Sequence, residues 1–88
     1  MKKINFKEFK MFLDIAHEKF NITDVRKAIA DVIYKNANGV MALDLAMRIY
    51  KSDSEIELNP EEYAFMEQFV NGNTSAMFID SYRENLYD

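Results

Sequence analysis

Two glycines and one proline are the only strong breakers of regular structure in this 88-residue chain. Each falls where a helix should stop or start. Gly39 follows Asn38 and Gly72 follows Asn71. That is the pattern of a helix C-terminus closed by a glycine in the left-handed conformation. Pro60 stands between Asn59 and the pair Glu61 and Glu62. This is a helix start: a capping side chain, proline at the first helical position, then acids at the positive end of the helix dipole. Punctuation of this kind divides the chain into helical pieces.

The hydrophobic spacing fills in those pieces. Asn5 with Glu8 reads as a capping box for a helix over about residues 6–19, with Phe6, Phe9, Leu13 and Ala16 inward. Alternation through Ile4 and Phe6, then Phe9, Met11, Leu13 and Ile15, also allows a short N-terminal strand. Asn21 or Thr23 caps a second helix running to about Ala37. Its buried stripe is Val25, Ala28, Ile29, Val32 and Ile33. A third helix, about Val40–Lys51, is apolar nearly all round, which predicts a central place in the core or burial by a partner. A fourth begins after Asn59 and ends near Asn71. Leu58 staples onto Tyr63, and Tyr63, Met66, Phe69 and Val70 face inward. Asn73 or Thr74 caps a fifth, with Met77, Phe78, Ile79, Tyr82 and Leu86 on or near one face. Ile56 and Leu58 alternate with Glu55 and Glu57, which allows a very short extended piece at residues 55–58. The expectation is an all-α fold: one helical domain over residues 1–88, a compact bundle of four to five short helices.

Composition excludes several chemistries. There is no cysteine, which removes disulfide scaffolds, Cys-type zinc sites, iron–sulfur clusters and thiol catalysis. The two glycines cannot build a phosphate-binding loop. No apolar run reaches membrane-spanning length, and Lys2-Lys3 is not followed by a signal-type apolar core. The chain therefore reads as a soluble cytoplasmic protein without a membrane partner. Charge is uneven: residues 1–44 carry a net +2 and residues 45–88 a net −6. A net-acidic chain without a basic stripe makes a nucleic-acid partner unexpected, and the Lys2, Lys3, Lys7 and Lys10 cluster reads as a solvated end.

Each candidate site has a plainer structural role beside the functional one. Asp53 starts an acidic run that resembles a calcium loop, but either alignment lacks the central glycine and the closing glutamate. No metal or cofactor is expected. His17 is the only histidine and is read as structural, near the end of the first helix where a cation is favourable. No serine lies in a nucleophile-elbow pattern. No catalytic residue is therefore assigned. Two groups remain as partner-binding candidates. One is the acidic set Asp53, Glu55, Glu57, Glu61 and Glu62, which could meet a basic surface. The other is Phe78, Tyr82 and Tyr87, aromatic anchors near a chain end.

The middle of the chain resembles small proteins encoded in phages and prophages. The resemblance rests on Asp24-Val25-Arg26-Lys27-Ala28, on Ala42 through Ile49-Tyr50, and on Ile56-Glu57-Leu58-Asn59-Pro60-Glu61-Glu62, and covers roughly half of the chain. It carries no functional residue across. It implies a mobile-element setting, the host-cell cytoplasm, in which many small proteins act by binding another protein. The expected function is a non-enzymatic protein-interaction module, such as a phage accessory protein that inhibits a host defence. Two other readings stand beside it: a self-assembling homo-oligomeric structural protein, and an acidic inhibitor that imitates nucleic acid.

Overall fold

The computed structural model describes all residues from Met1 to Asp88. The element order is β1 (Lys2–Ile4), β2 (Phe9–Phe12), β3 (Phe20–Thr23), α1 (Arg26–Asn36), α2 (Val40–Lys51), β4 (Ile56–Leu58), α3 (Pro60–Asn73) and α4 (Ala76–Asn85). The expected all-α bundle is therefore wrong. The fold is mixed, with four helices and two small antiparallel sheets.

The error lies in the first quarter of the chain. Asn5 does cap: its Oδ1 accepts from the backbone N–H groups of Lys7 and Glu8, both at 3.0 Å. It caps a turn between strands, not a helix. The short polar side chain serves either purpose, so the capping signal cannot tell them apart. Phe9 and Phe12 then bracket β2, an aromatic-rich segment suited to a pleated surface. Partners distant in sequence stabilise the strands. β1 pairs with β4, with Lys2 opposite Leu58 and Ile4 opposite Ile56. The expected extended piece at residues 55–58 is thus a strand, Ile56–Leu58. β2 and β3 form a hairpin, with Phe9 opposite Thr23 and Phe12 opposite Phe20. Asn21 and Thr23 are strand residues, so α1 starts later than expected. Its first turn is served by Asp24, whose Oδ1 accepts from Arg26 N–H at 3.0 Å.

The helical part follows the sequence more closely. Asn59 and Glu62 form a reciprocal capping box at the start of α3. Two breakers behave differently from expectation. Gly39 has φ 98° and ψ 164° and stands at the N-terminus of α2, in a backbone region open essentially to glycine alone. It starts a helix instead of closing one. Gly72 lies within α3, which runs on to Asn73. The cap of α4 is Ser75, not Asn73 or Thr74, and its side chain accepts from Phe78 N–H.

One core joins these parts. It includes Ile4, Phe6 and Phe9 from the N-terminal segment, Ile29 and Ile33 from α1, and Leu45 and Ile49 from α2. Ile56 and Leu58 of β4, Met66, Phe69 and Val70 of α3, and Tyr82 of α4 complete it.

Candidate interaction surface

The helix α2 carries two apolar stripes. Ala42, Leu45, Ala46 and Ile49 face the core and are buried. Val40, Leu43, Met47 and Tyr50 face outward and stay exposed, Val40 at 74 %. The central placement expected for this helix therefore fails. An apolar circumference needs neighbours on every side, and an 88-residue chain does not supply them. The outer stripe repeats at spacings of three, four and three residues, the spacing of a seam that packs against another helix.

Helix α1 extends this surface. Ala30 and Ala46 are buried where α1 and α2 face each other, and small side chains let the helices approach closely. Tyr34, Met47 and Tyr50 rise around them and wall a shallow groove of about 330 Å³. Arg26 fixes the relation of the two helices. Its guanidinium donates to the Ser52 carbonyl at the end of α2 and to both Asp24 carboxylate oxygens. The same guanidinium holds the Asp24 carboxyl down to about pKa 2.

The acidic run begins at Asp53, two residues after α2 ends, and so leaves from the Tyr50 end of the stripe. Ile56 and Leu58 turn into the core, so alternation turns Glu55 and Glu57 outward. Asp53, Glu55, Glu57 and Glu61 are exposed and form no ion pair. Glu62 is different. It is 7 % exposed, and both carboxylate oxygens accept from Arg48, each at 2.9 Å. It also accepts from Asn59 N–H at 3.0 Å. The Arg48 guanidinium first, and the Asn59 N–H next, hold the Glu62 carboxyl below its usual range against the opposing effect of burial. Glu62 is a joint between α2 and α3, with no free face for a partner.

The C-terminal aromatics are likewise committed to their own chain. Tyr82 is buried, and Phe78 is half-buried and stacked on Phe9 at 5.2 Å between centroids. Only Tyr87 is exposed, and its backbone exchanges two hydrogen bonds with Lys3. Burial pushes the Tyr82 hydroxyl pKa up, and that hydroxyl has no hydrogen-bond partner.

Sequence reasoning missed one feature. The β2–β3 loop and the start of α4 enclose a cleft of about 570 Å³. His17 lies in this loop with φ 59°, not in a helix as expected. Its ring stacks on Phe12 at 4.0 Å, and its Nε2 meets Asp80 Oδ2 at 2.6 Å. Leu13, Ile15 and Met77 form an exposed apolar rim. No serine, cysteine, threonine or lysine lines the cleft. Nothing local marks Asp80 as the partner of His17, because the two are 63 residues apart.

No cluster of three or more His, Asp or Glu side chains is placed to hold a metal ion. No helix is long and apolar enough to cross a membrane. The class is thus a small mixed α/β domain whose largest chemical asset is an exposed helical face. Compared with known proteins, the chain matches no family model, no curated protein and no solved structure.

Proposed function

We propose that this protein is a non-enzymatic interaction module whose α1–α2 face receives an amphipathic, basic helix of a partner protein. The observation that carries the reading is the outer stripe Val40, Leu43, Met47 and Tyr50, exposed beside Tyr34 at helix-seam spacing. A stripe of this kind left uncovered on a small domain marks a docking surface. The choice of a basic partner rests on charge. Asp44, Asp53, Glu55, Glu57 and Glu61 are exposed and unpaired on or after α2. Such carboxylates would steer encounter more than they would strengthen the final complex. The resemblance to phage and prophage proteins supports a setting in a host-cell cytoplasm, and the absence of cysteine is in keeping with it.

The test is a tagged capture from the lysate of the source cell or its host, read by mass spectrometry, with the double variant Leu43→Asp, Met47→Asp in parallel. Neither side chain is in the core, so the variant should stay folded, less stable than the parent by about 1–2 kcal/mol from two poorer helix formers and a like-charge i,i+4 pair. One dominant partner, held by the parent at moderate salt and lost by the variant, is the expected result. A partner retained equally by both proteins would refute the assignment to this face. Glu57→Lys should slow association with little effect on dissociation.

A further inference from the structure

Strand edges are liabilities that folded proteins close, and this molecule covers those of β1 and β2 and caps the outer carbonyl of the three-residue β4. The outer edge of β1 pairs with the C-terminus: Lys3 N–H donates to Tyr87 O at 2.7 Å and Tyr87 N–H to Lys3 O at 3.0 Å. The outer carbonyl of β4, on Glu57, accepts from Arg48 at 3.0 Å. The outer edge of β2 is covered by α4. Asn85 accepts from Lys10 N–H at 3.1 Å and donates to Lys10 O at 2.9 Å, as a neighbouring strand would. Ser81 Oγ accepts from Phe12 N–H at 3.0 Å.

The remaining edge is β3. Lys10 and Phe12 turn their main-chain groups toward α4, so the ladder bonds of the hairpin join Phe9 to Thr23 and Met11 to Asn21. The N–H and C=O groups of Phe20 and Ile22 therefore point away from β2, and no loop or turn bond reaches them. All four residues of β3 are exposed, Phe20 at 47 % and Ile22 at 58 %. The strand has no proline, no charge and no bulge to blunt pairing.

We infer that β3 is a self-association edge, pairing antiparallel with β3 of a second copy about a two-fold axis at Asn21. The strand is self-complementary about that residue. Its outward groups belong to Phe20 and Ile22, one on each side of Asn21. The two-fold operation sets Phe20 opposite Ile22 of the second copy, twice, with aromatic and β-branched side chains in register. No unbalanced charge opposes this register. Lys19 meets Thr23, and Glu18 meets an Asp24 that Arg26 already neutralises. Lys10 stays over the Phe20 ring, at 4.1 Å.

The chain has no cysteine, which gives a direct test. Across the two-fold axis Asn21 would face itself in a non-hydrogen-bonded pair, with Cα atoms about 4.5 Å apart, within disulfide range. Asn21→Cys in the full chain should cross-link under mild oxidation at least about tenfold faster than Glu61→Cys, an exposed control on another face. Ile22→Pro removes an outward N–H and no ladder bond, so the hairpin should persist while the dimer is lost. Should that variant unfold by circular dichroism, Asn21→Lys serves instead, by placing like charges on the axis. Light scattering should show the parent's mass rise toward twice the monomer as concentration reaches about 1 mM. A constant monomer mass, or equal cross-linking of the two cysteine variants, would overturn the inference.

Discussion

Two side-chain contacts, Arg48 with Glu62 and His17 with Asp80, join a helix to neighbouring structure, and they differ in depth. Arg48 and Glu62 tie α2 to α3, with the carboxylate buried and accepting three hydrogen bonds, two from Arg48 and one from Asn59 N–H. His17 and Asp80 tie the β2–β3 loop to α4 through one contact, with side chains 30 % and 44 % exposed. The first contact is part of the folding unit. The second is a clasp on the rim of a cleft. Burial decides the difference, because a buried carboxylate that loses its partner is left with an uncompensated charge, whereas an exposed one is rehydrated.

Arg48→Ala should have the greatest effect on the fold. It strands Glu62 in its buried site and should lower stability by about 2 kcal/mol in denaturant unfolding at neutral pH. The Glu62 carboxyl sits below its ordinary value of 4.5 in the folded state. Its contribution is therefore present above that value and is lost as pH falls through the lower folded value. The gap between parent and variant should narrow as the medium is acidified below 4.5. A gap that is absent at neutral pH, or constant into acid, would show that Glu62 is not the joint described.

At the β2–β3 loop, two substitutions at His17 separate backbone strain from side-chain contact. Alanine and glycine both delete the ring, its stack on Phe12 and its contact with Asp80. Only glycine accepts φ 59° without a Cβ penalty. His17→Gly should therefore be more stable than His17→Ala by about 1 kcal/mol. Equal stabilities would mean that the loop relaxes once the ring is gone.

The same contrast explains what was legible in the sequence. Asn59, Pro60 and Glu62 specify a helix start through contacts within one turn, and that start is where the pattern placed it. The bounds of α2 followed the apolar run itself, since no side chain caps its N-terminus. Short extended pieces near the N-terminus and at residues 55–58 were readable as alternatives, but their pairing was not, because β1 depends on β4 more than fifty residues away, and its other edge depends on Tyr87. Asn5 shows how a local signal fails: its capping chemistry is present, but the element it caps is decided elsewhere. Within the candidate surface, the acids Asp53, Glu55, Glu57 and Glu61 were readable as exposed. The removal of Glu62 by Arg48 needed the packing of α2 on α3. The outer stripe of α2 was visible as an excess of apolar residues. Which half stays uncovered follows only from where α1 lies.

Asp80→Asn is the smallest expected effect and the closest test of the exposed clasp. Asparagine keeps a hydrogen-bonding atom where Asp80 Oδ2 meets His17 Nε2, at nearly the same volume, and removes only the charge. A half-exposed polar contact gains little, because water competes for it and the two side chains lose freedom in forming it. The change in stability should stay under about 0.5 kcal/mol, against about 2 kcal/mol at Arg48. Calorimetric or chemical unfolding of both variants in one buffer gives the ratio directly. If Asp80→Asn is as damaging as Arg48→Ala, exposure does not separate the two contacts. The His17 loop would then belong to the folding unit, and its cleft would be a rigid feature of the molecule.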